Sequence, residues 1–184
     1  MLFRSHLRQN QKLRQITDRQ REMVQDKLLR RLGWMIRTSP ITLANGRIVL
    51  GLYHDEFACS LAAFSDDGGA TWSFSRPMAA PFLGMVQPGF AQRRDGTLVA
   101  YMRDNGFFRQ IRISESHDQG ASWSAPRVSD MPNPGASVQL LQLKNRHWLL
   151  CCNDLKKGRH RLTIFLSLDR SEEHTSELQS PNTI

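Results

Sequence analysis

Acidic residues follow the second apolar strand in each of three sequence units, as Asp55, Asp104 and Asp154. A carboxyl group can protonate a leaving oxygen, and a guanidinium can hold an anionic group through two parallel hydrogen bonds. We therefore predict that Asp55 and Asp104 are catalytic, the alternative being that each is a solvated loop residue. The predicted binding residues beside them are Arg37, His54, Arg103, Asn105, Asn153, Asp154 and Arg159.

Short apolar runs alternate with turn residues from Gly33 onward, which is typical of all-β sandwiches, barrels and propellers. Each unit has the order strand, turn, strand, polar loop, strand, turn, strand. The second strands are predicted at 48–53, 97–102 and 147–152. Four antiparallel strands in about 50 residues make one blade of a β-propeller. The sequence therefore predicts about three four-stranded blades of an all-β propeller.

A turn motif supports this division because it returns at a fixed interval. The pattern S-x-D-x-G-x-[ST]-W is complete at 65–72 and 116–123, and a third copy begins at 167–169, each 51 residues after the last. We call these segments the box turns. Their predicted structural residues are Ser65, Asp67, Gly69, Thr71, Trp72, Ser116, Asp118, Gly120, Ser122 and Trp123.

The box turns have a mechanical explanation. The Asp carboxylate can accept hydrogen bonds from the backbone of its own turn, and Gly permits the positive φ that the reversal needs. The Trp adds a large apolar surface for packing. We therefore assign the box aspartates a structural role.

Strand direction decides which loops share a face. Because strands alternate in direction within a blade, the first loops and the box turns must lie on one face. The second loops and the starts of the first strands must lie on the other, which we call the mouth face. Each unit has a proline near its start, and we align the first strands by these prolines. Arg37 before Pro40 then corresponds to Gln87 before Pro88 and to Asn133 before Pro134.

The net charge of +8 is concentrated in residues 1–31, where nine Lys or Arg stand against three Asp or Glu. This segment predicts a basic helix or a disordered arm. A basic arm could touch nucleic acid or an anionic membrane, but its acidic residues and few aromatics favour a solvated helix. The remainder is close to neutral, so we predict no nucleic acid partner.

No apolar run is long enough for a membrane helix, and the first residues lack the apolar core of a secretory signal. If Met1 is the true start, these features predict a cytoplasmic protein. The three cysteines form neither a disulfide framework nor metal-ligand spacing, and no phosphate loop or dinucleotide fingerprint occurs. We predict no cofactor and no metal.

The chain ends in residues that do not fit the repeat. The box pattern requires Gly at 171 and Trp at 174, where Ser171 and His174 stand. Residues 170–184 resemble the translation of a sequencing adapter, so we expect a non-native tail that interrupts the third box. Sequencing an independent transcript tests this, because a Gly two places after Asp169 is then expected.

The sequence resembles the sialidase (neuraminidase) superfamily, specifically bacterial-type sialidase-like proteins with BNR repeats, over about residues 24–169. The segments that carry the resemblance are RRLGWMIRTSPITLANGRIVLGLYHDEF, AFSDDGGATWS, RRDGTLVAYMRDNG, MPNPGASVQ and NDLKKGRHRL. The resemblance implies a six-bladed propeller that cleaves terminal sialic acids. The family uses three arginines for the carboxylate, an aspartate as acid/base and a tyrosine–glutamate nucleophile pair.

The resemblance implies that Arg37 is the arginine of a first strand and Asp55 the acid/base. Arg103 resembles a further anion ligand. The resemblance implies that the partner is a sialylated or other acidic glycan. Neither Tyr53 nor Tyr101 stands in the sequence context of the family's nucleophile, so we expect that this chain alone does not hydrolyse it. The alternatives are a non-catalytic carbohydrate-binding or interaction propeller and a glycosidase for another sugar.

The predicted organisation is therefore a basic N-terminal arm at 1–31, a partial propeller at 32–169 and a foreign tail at 170–184.

Overall fold

The structure is a computed structural model that describes residues 14–15, 18–19, 21–78, 80, 84–145, 147–167 and 178–183. The chain divides into two compact units, Met1–Trp34 and Met35–Ile184. The boundary lies close to the predicted end of the basic arm at residue 31.

The described part of the first unit is helical. Residues 21–25 form helical turns, and helix α1 spans Lys27–Arg31. Asp26 caps α1, because its carboxylate accepts hydrogen bonds from the backbone N–H groups of Leu28 at 2.7 Å and Leu29 at 3.2 Å. No helix within the described ranges is long and apolar enough to cross a bilayer.

The second unit consists of three antiparallel sheets, which we call blades 1, 2 and 3 in chain order. Blade 1 contains β1 (Met35–Ile36), β2 (Ile41–Thr42), β3 (Ile48–His54), β4 (Cys59–Ser65) and β5 (Ser73–Phe74). Blade 2 contains β6 (Met85–Gln92), β7 (Leu98–Asp104), β8 (Gln110–Ser116) and β9 (Arg127–Pro132). Blade 3 contains β10 (Gln139–Gln142), β11 (Trp148–Cys152), β12 (Thr163–Ser167) and β13 (Leu178–Thr183). The predicted strand order is confirmed, with the first strand of blade 1 split into β1 and β2.

The strand register shows that the second strands and the box turns repeat at slightly different intervals. The box serines Ser65 and Ser116 pair with Ile48 and Leu98, and Ser167 pairs with Trp148. The second strands therefore repeat every 50 residues, whereas the box turns repeat every 51. Since the register is conserved between blades, the extra residue of each later unit lies in its second loop.

Two apolar cores join neighbouring blades. Val49 of blade 1 and Phe90 of blade 2 belong to one core, and Tyr101 of blade 2 and Leu150 of blade 3 belong to the other. The first strands contribute Ile41 in blade 1, Phe90 and Ala91 in blade 2, and Leu140 in blade 3 to these cores. The blades thus pack face to face, which presents their equivalent loops on a common side.

The outer face of blade 1 has no such neighbour within the described part of the second unit. Trp123 of the second box turn stacks on Phe90, with ring centroids 5.0 Å apart, inside the core between blades 1 and 2. The equivalent Trp72 of the first box turn is 38% exposed, and Phe74 and Ile36 are 61% and 60% exposed.

Both box turns form the predicted hydrogen bonds. In the first, the Asp67 carboxylate accepts from the Ser65 hydroxyl at 2.7 Å and from the Thr71 N–H at 2.8 Å and hydroxyl at 2.6 Å. Asp118 of the second turn makes the same contacts with Ser116 and Ser122. Gly69 and Gly120 have φ of 97° and 91°, as the reversal requires.

The contacts of the Asp67 carboxylate predict sensitivity to acid. Hydrogen bonds from the Thr71 side chain and backbone, then from Ser65, lower the pKa of Asp67 from 3.8 to about 2. Because the folded pKa is depressed, this stabilisation is complete above the unfolded value and is lost as the pH falls from about 4 towards 2. We expect Asp67→Asn to lower the melting temperature by a few degrees at pH 7 and to flatten its fall between pH 4 and 2.

Thermal melts followed by circular dichroism at several pH values measure this effect. Asp130→Asn is the matched control, because Asp130 is an exposed aspartate outside the box turns. An Asp67 variant with the same pH profile as the wild type would contradict the role of the carboxylate.

Part of the predicted tail pairs with β12 through its backbone. β13 (Leu178–Thr183) runs antiparallel to β12. An open edge strand presents N–H and C=O groups that pair with an extended segment of any sequence, so the foreign origin of residues 170–184 stays a prediction. The third box turn beyond Ser167 lies outside the described residues.

Candidate anion-binding site on the mouth face

The second loops and the starts of the first strands meet on one side of the sheets. The backbone N–H of Asn105 donates to the Gly84 carbonyl, and that of Asn133 donates to the Arg109 carbonyl at 2.8 Å. On the opposite side, the first loop of blade 1 reaches the second box turn, where the Asn45 amide donates to Gln119 at 2.8 Å. The structure therefore places the box turns and the mouth face as the strand directions predicted.

Three arginines converge on the mouth face, one from each blade. Arg37 follows β1, Arg103 lies in β7, and Arg159 lies in the long loop between β11 and β12. Burial lowers the pKa of Arg103, and repulsion by Arg159 and Arg37 lowers it further, while Asp55 and Tyr53 oppose these effects. Since each of these groups acts electrostatically on Arg103, the five side chains form one local cluster with an excess of positive charge.

A pocket of about 360 Å³ opens beside this cluster. Arg37, Asn153 and Arg159, all predicted binding residues, line it, together with Ser137 and Gln139 at the start of blade 3. A guanidinium pair next to amide and hydroxyl groups can bind an anionic group and also recognise neutral oxygens.

The loop that carries Arg159 is held by its own polar contacts. Asp154 accepts hydrogen bonds from Arg161 at 2.7 Å and from the Thr163 hydroxyl at 2.9 Å. The Arg159 guanidinium donates to the Gly135 carbonyl at 2.6 Å, which fixes its position at the pocket. Asn153 donates to the Arg161 carbonyl. Asp154 is thus engaged in anchoring the loop.

The structure corrects the prediction for Asp104. Its side chain is 0% exposed, one carboxylate oxygen accepts from the Gly106 N–H at 2.6 Å, and the other lies 3.8 Å from Nε of the buried Arg112. A carboxylate enclosed in this way has no surface for a substrate. Asp104 therefore stabilises the second loop of blade 2 instead of acting as a catalyst.

Register explains why the acidic residues differ. Asp104 and Asp154 occupy the position of His54, not that of Asp55, because the second strands repeat every 50 residues. His54 is 3% exposed, and its Nδ1 accepts from the Phe57 N–H at 3.3 Å, so the structure also corrects its predicted binding role. The next position along the chain points outward.

Asp55 and Asn105 occupy that outward position and are both exposed. Asp55 lies beside Arg103, whose pKa it raises. Among the three acidic residues that were predicted at the ends of the second strands, Asp55 alone presents an exposed carboxylate to the mouth face.

The sequence analysis missed Ser137. Register aligns Ile41, Ala91 and Leu141, and counting four residues back along the sequence from each gives Arg37, Gln87 and Ser137, of which Arg37 and Ser137 line the pocket. The proline comparison pointed instead to Asn133, which is buried and bonds its own loop at Gly135 and Ala136. The second-strand register, counted from the residues opposite the box serines, was the signal that could have identified Ser137.

No group of three or more His, Cys, Asp or Glu side chains suited to a metal ion converges within the described residues. Burial raises the pKa of Cys59 to about 11 and that of Cys152 to about 12, so neither thiol is a thiolate at neutral pH.

Solved structures share this arrangement of sheets. A protein of unknown function from Dyadobacter fermentans is similar with a TM-score of 0.64 and 20% identity, over 82% of this chain and 41% of that chain. The Hadza microbial sialidase Hz136 has a TM-score of 0.58 and 24% identity, over 71% of this chain and 27% of that chain. The NanB sialidase from Streptococcus pneumoniae has a TM-score of 0.57 and 20% identity, over 72% of this chain and 21% of that chain.

This chain therefore spans less than half the length of these solved proteins, and its likeness to them shows the fold. No curated protein sequence shows a significant match to it. The profile of the BNR repeat-like domain matches residues 19–179, which is most of the chain. The all-β sheets and this match agree with the resemblance drawn from the sequence. The chain belongs to the BNR repeat-like domain family, and its fold resembles that of solved sialidases.

Proposed function

We propose that the mouth face binds the terminal acidic sugar of a glycan, as part of an exo-sialidase-type glycoside hydrolase. The observation that carries this proposal is that Arg37 and Arg159, from two blades, line one pocket and both act electrostatically on Arg103 of the blade between them. Guanidinium groups match the planar geometry of a carboxylate and bind it through two parallel hydrogen bonds.

The electrostatics of the cluster favour an anionic ligand over a neutral one. Burial and the neighbouring guanidinium groups both lower the pKa of Arg103, and Asp55 offsets them only in part. A bound carboxylate would counter the repulsion among the arginines, so its binding is favourable beyond the hydrogen bonds that it makes. A neutral sugar gains no such term.

Asp55 is the residue that we propose as acid/base. Its exposed carboxyl lies beside the arginine cluster, where the glycosidic oxygen of a sugar held by its carboxylate would lie within reach. A carboxylic acid that protonates the leaving oxygen is the general acid of most glycoside hydrolases.

The nucleophile is not among the described residues. Tyr53 and Tyr101 are the only tyrosines of the sequence, and both are buried, at 7% and 6% exposure. Because a nucleophile must touch the reacting carbon, neither can serve. We therefore expect this chain to bind an acidic sugar without hydrolysing it.

Isothermal titration of this chain with N-acetylneuraminic acid and, separately, with neutral N-acetylglucosamine tests the proposal. We expect the acidic sugar to bind more tightly by at least about tenfold and to lose affinity in 0.5 M salt, since charge-assisted contacts are screened. Equal affinities for the two sugars would overturn the anionic specificity. If this chain releases product from a fluorogenic sialoside, the conclusion that the nucleophile is not among the described residues is wrong.

A further inference from the structure

We infer that Gln87 is a specificity-determining residue whose amide nitrogen donates a hydrogen bond to an uncharged oxygen of the bound sugar, with Ser137 as its positioning residue. This inference rests on the proposed function for the identity of the ligand class. It adds a hydrogen bond to an uncharged oxygen of the sugar, a group that the arginine cluster does not recognise.

Gln87 has a backbone conformation that a glutamine rarely adopts. Its φ is 60°, in the left-handed region, although it lies inside strand β6. The register between β6 and β7 shifts between Val86 and Gly89, so Gln87 forms part of a β-bulge. A bulge redirects a side chain, and backbone strain of this kind concentrates at functional sites.

The amide of Gln87 is fixed in one orientation. The Ser137 hydroxyl donates to Oε1 of Gln87 at 2.7 Å, so the amide NH₂ must point the other way. This nitrogen has no hydrogen-bond partner in the part of the chain that the structure describes, and it is not among the fully buried unsatisfied atoms there. It therefore retains two free donors in a side chain that is otherwise buried.

The free donors belong to the mouth face. Gln87 is held by the Ser137 hydroxyl, and Ser137 lines the pocket together with Arg37. Arg37, Ser137 and the Gln87 amide that Ser137 holds thus form a short polar row, of which Arg37 and Ser137 line the pocket and Gln87 lies directly behind Ser137.

The chemistry of this row separates two kinds of ligand oxygen. A carboxylate prefers the charged guanidinium groups, because charge-assisted hydrogen bonds are about twice as strong as neutral ones. An amide NH₂ matches a hydroxyl or an acyl carbonyl oxygen. A ligand that lacks this oxygen leaves the donor desolvated and unpaired, which is how a polar site discriminates between related ligands.

Gln142 provides a matched control within the same pair of blades. Its Oε1 accepts from the Gln92 backbone N–H at 3.2 Å, and its Nε2 donates to the Gln92 carbonyl at 3.0 Å. Both ends of this amide are used within the protein. Gln142 is therefore a structural amide bridge between blades 2 and 3, whereas Gln87 has one end free.

The experiment measures affinity for N-acetylneuraminic acid by titration and stability by thermal melts for Gln87→Asn, Gln87→Glu, Ser137→Ala and Gln142→Asn. Asn tolerates the left-handed conformation but is one methylene too short to reach, so we expect about tenfold weaker binding with an unchanged or higher melting temperature. Gln87→Glu keeps the size but removes the donor, and should weaken binding at least as much. Ser137→Ala releases the amide and should weaken binding about threefold.

Gln142→Asn should lower the melting temperature and leave affinity unchanged. A Gln87→Asn protein with a lower melting temperature and wild-type affinity would overturn the inference, because Gln87 would then be structural. If Arg37→Ala loses binding while both Gln87 variants keep it, the inference fails and the proposed function stands. If the wild type does not bind the acidic sugar, both are overturned.

Discussion

Arg37→Ala is expected to weaken the binding of N-acetylneuraminic acid by about 10- to 100-fold. A hydrogen bond to a charged group contributes about 1.5–3 kcal/mol, and each 1.4 kcal/mol corresponds to about tenfold in affinity. Arg37 lies at the pocket with Arg159 and repels Arg103. Its removal therefore takes away a carboxylate ligand and at the same time relieves repulsion in the empty site.

The two consequences have opposite signs, which makes the experiment diagnostic. We expect affinity to fall while the melting temperature of the unliganded protein stays the same or rises slightly. Arg37→Lys retains the charge without the planar fork and should give an intermediate affinity. Titration calorimetry and thermal melts on the same samples provide both measurements.

Arg94→Ala is the control, because Arg94 is an exposed arginine at the first loop of blade 2, on the side of the box turns. Its loss changes the net charge by the same amount as Arg37→Ala. Equal loss of affinity in the two variants would show that overall charge attracts the ligand, and the assignment of Arg37 would then be wrong.

Gly51→Ala is expected to destabilise the second unit by about 3 kcal/mol, in the upper range for overpacking of a core. A Cβ atom on Gly51 would lie 2.5 Å from the Pro88 carbonyl oxygen and 2.9 Å from Pro88 Cγ. The same carbonyl accepts a hydrogen bond from the buried Thr38 hydroxyl, so blade 2 cannot withdraw without losing that bond. The added methyl group must therefore separate blades 1 and 2.

Chemical denaturation measures this effect, and Gly46→Ala serves as the comparison. Gly46 has a φ of 87° but open space around its Cβ position. Alanine there costs about 1–2 kcal/mol through backbone strain alone. If Gly51→Ala were no more harmful than Gly46→Ala, the close approach of the two blades would not limit stability.

The sequence was sufficient to predict the fold because local signals agreed with one another. Apolar runs, turn residues and the box turns all repeat with nearly the same period, and the hydrogen bonds of each box Asp carboxylate stay within its own eight-residue turn. Asp67 and Asp118 contact only neighbours in the chain. Features of this kind depend on local geometry and can be read from the order of residues.

The site was less predictable because it depends on register and burial. A shift of one residue along a strand moves a side chain from one face to the other. Asp104 and Asp55 look equivalent in the sequence. By strand register, however, Asp104 of blade 2 is equivalent to His54 of blade 1, and its carboxylate is enclosed beside Arg112. Arg37 and Arg159 lie between strands, where a long charged side chain can reach the same pocket from more than one register.

The 50-residue spacing of the second strands has a consequence for how such a protein can change. The segment from the second strand to the box serine lengthens by one residue in each successive blade, from Ile48–Ser65 to Leu98–Ser116 to Trp148–Ser167. Every added residue lies in a loop at the mouth, while the pairing beneath it is unaltered. Insertions there could diversify ligand preference during evolution at little cost to folding, so the scaffold and the recognition surface are free to evolve separately.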